Sequence, residues 1–253
     1  MTLIDTHAHL YYDDMYNNLD NVLEDALNNG VEKIVCIGTD LNTSKQSIDI
    51  ADKYDNVYAS VGIHPHDSKD VNKDYIKNLE TLALSSKKVV AIGEIGIDHY
   101  RNISPQDIQK KVMIEQMELA NSLSLPIIFH NRDADRDILE VLKHHPFQRA
   151  LAHCYSSDLS FAEKLLELNV LLSFSGNVTF KNSINQTAIQ NIMLTDFVLE
   201  TDCPFLAPQP HRGKPNEPKY VKDIAKFISE LLDIEFKDIA MQTTKNAEKF
   251  FKI

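Results

Sequence analysis

Cysteine is scarce in this sequence: Cys36, Cys154 and Cys203 are the three among 253 residues. They are too few and too scattered for a disulfide framework or a zinc ribbon, and a reducing compartment suits them. No apolar run approaches the roughly 18 residues of a membrane span. The first ten residues carry Asp5, His7 and His9 where a secretory leader would need a basic patch and then an apolar stretch. The chain is therefore expected in the cytoplasm, neither secreted nor inserted in a membrane. Low-complexity segments, a dividing linker and short internal repeats are also missing, so residues 1–253 read as one domain. Positive charge is in deficit, with 26 basic against 37 acidic residues and a formal charge of −11. That balance opposes general adhesion to nucleic acid or anionic membrane. If such a chain handles a polyanion, something local must supply positive charge, and ten histidines make bound metal cations one candidate.

What is present fits a globular enzyme. Apolar residues make up 43% and charged residues 25%, close to the soluble average. The length matches the roughly 250 residues of one α/β barrel. Short β-rich runs alternate with amphipathic ones: Leu3–Ile4, Lys33–Ile37, Val57–Val61, Val89–Ile92, Ile127–Phe129, Ala150–Ala152, Val170–Phe174 and Phe197–Leu199 read as eight buried strand cores. Between them, Leu19, Val22, Leu23, Ala26 and Leu27 form a helical stripe ended by Gly30, and residues 108–123 and 220–231 carry similar stripes. A last helix, from about Glu235 to Phe250, packs through Phe236, Ile239, Ala240, Ala247 and Phe250. This pattern predicts an α/β fold, a TIM-type (β/α)8 barrel with an extra C-terminal helix; an open doubly wound sheet is the alternative. Pro204 to Pro218 holds five of the nine prolines with His211, Arg212, Lys214 and Asn216. So long an irregular stretch in a compact domain is usually functional.

The chemistry sits where the apolar strands stop. Alternation along Leu3-Ile4-Asp5-Thr6-His7-Ala8-His9 puts Asp5, His7 and His9 on one strand face. Alone, a His-x-His pair reads equally well as exposed turn histidines. The pattern repeats, however: Val89–Ile92 runs into Glu94 and Asp98, Ile127–Phe129 into His130, Ala150–Ala152 into His153, and Phe197–Leu199 into Glu200 and Asp202. In a barrel those ends converge on one mouth. Four imidazoles and two carboxylates there make a mixed nitrogen and oxygen site suited to two divalent cations, with zinc, manganese, nickel or magnesium all acceptable. Without metal, Glu94 and Asp202 would be unpaired charges beside neutral histidines, which is costly.

His7-x-His9, Gly62-Ile63-His64-Pro65, Gly93-Glu94-Ile95-Gly96-Ile97-Asp98, His130, His153-Cys154 and Glu200-Thr201-Asp202-Cys203-Pro204 follow one another as in the TatD family of metal-dependent hydrolases, which this chain resembles from Asp5 to Pro218. The resemblance implies an amidohydrolase-like barrel and a metal-dependent deoxyribonuclease acting from the 3′ end. It implies that His7, His9, Glu94 and Asp202 hold one metal, and that Glu94 bridges to a second held by His130 and His153. It also places Arg212 and Lys214 in a segment lining the substrate cleft; a solvated surface loop is their bland alternative. His153-Cys154-Tyr155-Ser156-Ser157 departs from the family's His-Cys-Phe-Ser/Thr-Gly.

His64 is expected to contact substrate, although His64 and His66 also read as ordinary loop histidines. Asp98 and Glu200 are expected to orient ligands through hydrogen bonds, with a solvated carboxylate as the alternative for Asp98 and the positioning of water as an equal alternative for Glu200. His99 and Tyr100 are within reach of the mouth, whereas His144 and His145 close a helix and carry no function. Cys154 and Cys203 read as small buried fillers. The expected reaction is phosphodiester hydrolysis, with Asp202 accepting a proton from water, Glu94 setting the metal spacing, and DNA strands or 3′ ends as substrate. No protein partner is evident. The same apparatus polarises a carbonyl, so amide, ester or lactone hydrolysis, including removal of an amino acid from transfer RNA, is the alternative. A non-catalytic nucleic-acid-binding barrel is a third reading.

Overall fold

In a computed structural model of the chain, which describes residues 2–253, all eight expected strands form. They are β1 (Leu3–Ala8), β2 (Val31–Ile37), β3 (Val57–Val61), β4 (Val89–Asp98), β5 (Ile127–Arg132), β6 (Ala150–Ala152), β7 (Val170–Phe174) and β8 (Phe197–Leu199). Each pairs in parallel with the next, in sequential order. The seam between β8 and β1 is drawn together just past their ends. Ala8 and Cys203 form a parallel bridge, the Asp202 N–H donates to the His7 carbonyl at 2.9 Å, and the His9 N–H donates to the Cys203 carbonyl at 2.9 Å. The result is a TIM barrel.

The helices alternate with the strands: α1 (Asp13–Tyr16), α2 (Leu19–Asn28), α3 (Leu41–Lys53), α4 (Tyr75–Ser85), α5 (Gln106–Ser122), α6 (Asp135–His144), α7 (Leu159–Glu167), α8 (Asn185–Ile189), α9 (Val221–Leu232) and α10 (Phe236–Phe251). Their starts are written locally. At α3, Asp40 Oδ1 accepts the Thr43 N–H at 2.6 Å while Thr43 Oγ1 accepts the Asp40 N–H at 2.9 Å, a reciprocal cap. Leu19, Val22, Leu23 and Ala26 of α2 are buried on the sheet, as their spacing predicts, whereas Leu27, expected on the same stripe, is exposed.

Alternation divides the strand residues between two cores. Ile34 and Cys36 of β2 join the layer under the helices, whereas Val35 joins Ile4, Val90, Ile128, Leu151 and Val198 inside the barrel. Those interior residues meet Ala247, Phe250 and Phe251 of α10, which closes the end where the strands begin. Asn246 Nδ2 ties the helix there, donating to the Leu194 and Phe197 carbonyls at 2.7 Å each. The opposite end, where the strands finish, is left for chemistry.

Two strands run further than their apolar cores. Between Ile92 and Ile95 the register of β4 on β5 slips by one residue, so Gly93 and Glu94 occupy a bulge, the device that re-aims a side chain. Beyond it, Gly96 lies against His130, with φ of 136° and space for a Cβ only 2.1 Å from the His130 carbonyl oxygen. Only glycine lets the two backbones approach this closely. The pairing then continues through Ile97 with Asn131 to Asp98 with Arg132, raising both strands at the rim.

Asp5 fastens the seam. Thr201 donates to it twice, from Oγ1 to Oδ2 at 2.6 Å and from N–H to Oδ1 at 2.9 Å, and all the atoms are buried. Thr201→Val keeps the shape and removes the hydroxyl donor, so stability is expected to fall by about 1–3 kcal/mol. A urea melt reads this directly, and an unchanged midpoint would remove that bond from the seam.

Candidate metal centre

The strand ends place one buried carboxylate in the middle of five imidazoles. Glu94 Oε2 lies 3.4 Å from His7 Nε2 and 3.9 Å from His9 Nε2. Its other oxygen, Oε1, lies 2.9 Å from His153 Nε2, 3.2 Å from His130 Nδ1 and 3.4 Å from His64 Nε2. Asp202 joins the first group, with Oδ1 3.4 Å from His9 Nε2 and 3.8 Å from His7 Nε2. Asp202 and Cys154 both adopt left-handed backbone, with φ of 58° and 46°. Such conformations cost about 1–3 kcal/mol and gather at functional sites.

The outer hydrogen bonds decide which ring nitrogens are free. His9 Nδ1 is 3.1 Å from the Ile37 carbonyl, an acceptor only, so Nδ1 carries the proton and Nε2 turns a lone pair inward. His153 Nδ1 donates to Glu200 Oε1 at 3.2 Å and His130 Nε2 to Asp98 Oδ2 at 3.3 Å, which frees His153 Nε2 and His130 Nδ1 in the same way. Those two lone-pair nitrogens are 3.4 Å apart and both face Glu94. Both ring nitrogens of buried His7 lack a hydrogen-bond partner among the described residues. Lone pairs facing lone pairs and a carboxylate repel unless protons or a cation lie between them. Imidazole and carboxylate together suit divalent transition metals, so the donor set fits such an ion.

His64 behaves differently. Burial holds its pKa down at about 4, so the ring is neutral at pH 7. Its Nδ1 accepts the His66 N–H at 3.1 Å, which leaves the proton on Nε2. Although His64, Glu94 and His130 place ligand atoms within 4.8 Å of one another, His64 presents a donor to the cavity and not a lone pair. Burial pushes both carboxylates upward, yet protons that the metal-free molecule keeps on rings such as His153 and His130 hold Glu94 well below the ordinary range and Asp202 below it, so both are ionised; a bound cation would take the place of those ring protons.

Asp98 and Glu200 stand where orienting groups were expected. Asp98 Oδ2 accepts from His66 Nε2 at 2.8 Å as well as from His130, and Glu200 Oε1 accepts the Cys154 N–H at 2.8 Å as well as His153. Other expectations change. Asp5 does not join His7 and His9, because a register slip between Asp5 and Ala8 breaks the alternation and Thr201 occupies the carboxylate. Arg212 and Lys214 are exposed and outside the cavity lining, and Arg212 lies over the Phe180 ring at 4.1 Å. His99 is engaged by Asp137 at 2.7 Å outside that lining. Cys203 is a buried filler, whereas Cys154 lines the cavity, its sulfur 3.1 Å from Ser175 Oγ.

The cavity, about 740 Å³, is lined on its rim by residues the sequence reading passed over: Arg101, Arg132, Tyr12 and Phe205. A signal for Arg132 existed, since it shares strand parity with His130. No helix among the described residues is long and apolar enough to cross a membrane.

The sequence profile of the family described as TatD related DNase matches residues 4–252. YabD of Bacillus subtilis, described as an uncharacterized metal-dependent hydrolase, is 41% identical over 99% of this chain and 99% of its own length. YcfH of Escherichia coli, described in the same words, is 34% identical over 100% of this chain and 97% of its own. The crystal structure of YJJV, a TatD homologue from Escherichia coli, superposes with a TM-score of 0.95 at 27% identity, covering 99% of this chain and 98% of that one. Ordered from β1 to β8 around a histidine and carboxylate cluster that suits divalent cations, the chain belongs to the TatD-related DNase family and is a metal-dependent hydrolase.

Proposed function

We propose that the protein is a deoxyribonuclease that hydrolyses DNA phosphodiester bonds with two divalent metal ions, trimming single strands or 3′ ends. The observation that supports this most is the division of Glu94, one oxygen toward His7 and His9 and the other toward His130 and His153. In this reading His7, His9, Glu94 and Asp202 hold one ion, and Glu94, His130 and His153 hold the other. The protein acts as one barrel domain over residues 1–253, and the free thiols of Cys36, Cys154 and Cys203 suit a reducing cytoplasm.

Divalent cations at these residues supply Lewis acidity toward phosphate oxygens and make water nucleophilic near neutral pH. The remaining work belongs to the chain. Asp202, ionised and facing the cavity, takes the proton of the attacking water on a carboxylate oxygen. His64 offers its Nε2–H to a phosphate oxygen, because His66 holds the other nitrogen. Asp98 and Glu200 keep His130 and His153 in the tautomers that direct lone pairs inward. A phosphodiester is favoured over an ester or lactone by Arg101 and Arg132, the cations of an otherwise acidic cavity.

Metal content tests the ligand sets. After zinc loading and desalting, the wild type is expected to retain about two equivalents per chain and His130→Ala/His153→Ala about one, since each structural or catalytic zinc needs three or four protein ligands. Two equivalents in the double variant would refute the division.

Turnover tests the chemistry. Asp202→Asn is expected to lower kcat on a single-stranded oligonucleotide by about 10²–10⁴-fold, with KM changed only a few-fold. Equal kcat at saturating metal would remove Asp202 as proton acceptor. Turnover of a lactone or aminoacyl ester by the wild type, with none of DNA, would contradict the nuclease reading.

A further inference from the structure

Two walls of opposite character face each other across the mouth. In a closed barrel of eight sequential strands, the β4–β5 seam lies opposite the β8–β1 seam. On the first side stand Arg101 and Arg132, the basic side chains of the cavity lining. They are neighbours, since Arg132 pairs in register with Asp98, whose Oδ1 accepts the Arg101 N–H at 2.7 Å. Neither takes part in a salt bridge among the described residues. The Arg132 guanidinium rests on the Tyr100 ring at 4.0 Å, which steadies the charge without cancelling it.

On the second side stand Tyr12 and Phe205, with ring centroids 5.5 Å apart edge to face and each 6.1 Å from the His9 ring. Both are built in. Tyr12 stacks on Tyr11 at 5.3 Å, and Asn216 Nδ2 donates to the Phe205 carbonyl at 2.6 Å. Yet Tyr12 is 43% and Phe205 45% exposed, at the edge of a cavity whose floor is charged. Exposed rings held in place beside a polar site are platforms for a planar ligand, and every nucleobase has a π face to offer them.

The geometry points to a divided substrate subsite, an inference that rests on the phosphodiesterase reading. The nucleobase on one side of the scissile phosphate seats against Tyr12 and Phe205, and the phosphate on its other side is held by Arg101 and Arg132. The Glu94 cluster lies between the two walls. A base still stacked in a duplex cannot reach the aromatic wall without being extruded, at a cost of a few kcal/mol. The enzyme therefore selects strands whose base beside the cut is unpaired.

The test uses oligonucleotides of one sequence, carrying either a normal or an abasic residue beside the cleaved bond. The wild type is expected to prefer the normal strand by about tenfold in kcat/KM, and Tyr12→Ala/Phe205→Ala to bring that preference close to one. Tyr12→Leu/Phe205→Leu, which keeps apolar bulk but no π face, is expected to do the same, so a folding defect in the alanine variant does not blunt the result. Arg101→Gln/Arg132→Gln is expected to keep the preference, raise KM about tenfold and flatten its salt dependence by about one phosphate contact. Leu84→Ala, on α4 outside the cavity lining, should match the wild type in all of these. A base preference that survives both aromatic variants, or an unchanged salt dependence in the arginine variant, would overturn the divided subsite. A wild type that cleaves no oligonucleotide would instead bring down the phosphodiesterase reading, and the subsite with it.

Discussion

Everything at the mouth is arranged around the Glu94 carboxylate. It is buried, it is ionised, and its two oxygens are claimed by different sets of imidazoles. A carboxylate in that position is stable only if positive charge, whether protons on the rings or cations among them, sits on both sides of it. The rest of the site regulates which it is. Three of the rings are turned so that their outer nitrogens donate to Ile37, Asp98 and Glu200, leaving inner lone pairs for a cation. The fourth, His7, has no hydrogen-bonding alternative among the described residues.

The barrel makes this arrangement affordable by keeping stability and chemistry at opposite ends. Phe250 and Phe251 of α10 complete the apolar interior where the strands begin. At the other end the backbone departs from regularity in ways that serve the cluster. The β4 bulge aims Glu94, Gly96 lets β5 close up behind it, and the seam fastened by Asp5 and Thr201 carries His7 and Asp202 on its two sides. An alanine at Gly96 would press on the backbone of His130 itself, so fold and site are coupled there through one missing methyl group.

Much of this was legible in the sequence, for a physical reason. Parallel strands buried on both faces are short apolar runs, so all eight cores stood out, and the stripe of α10 was readable from Phe236 to Phe250. The histidines and carboxylates were visible because they interrupt those runs at their ends. What escaped depended on irregular backbone or distant partners. Strand parity misplaced Asp5 because β1 slips register, and its true partner, Thr201, is 196 residues away in the sequence. β5 runs past its apolar core through the polar His130, Asn131 and Arg132, which hid Arg132 at the rim, and β4 runs past its own through two glycines and a bulge, which break the apolar run. The family resemblance places Arg212 in a segment lining the substrate cleft, and the Phe180 ring that it lies over belongs to a different loop.

The most direct measurement is anomalous diffraction from crystals grown with zinc. If Glu94 divides the site as described, two peaks will appear, one beside each carboxylate oxygen at about 2.0–2.2 Å, with His7 and His9 on one and His130 and His153 on the other. A single peak, or two peaks that leave Glu94 outside the coordination of either ion, would contradict the account.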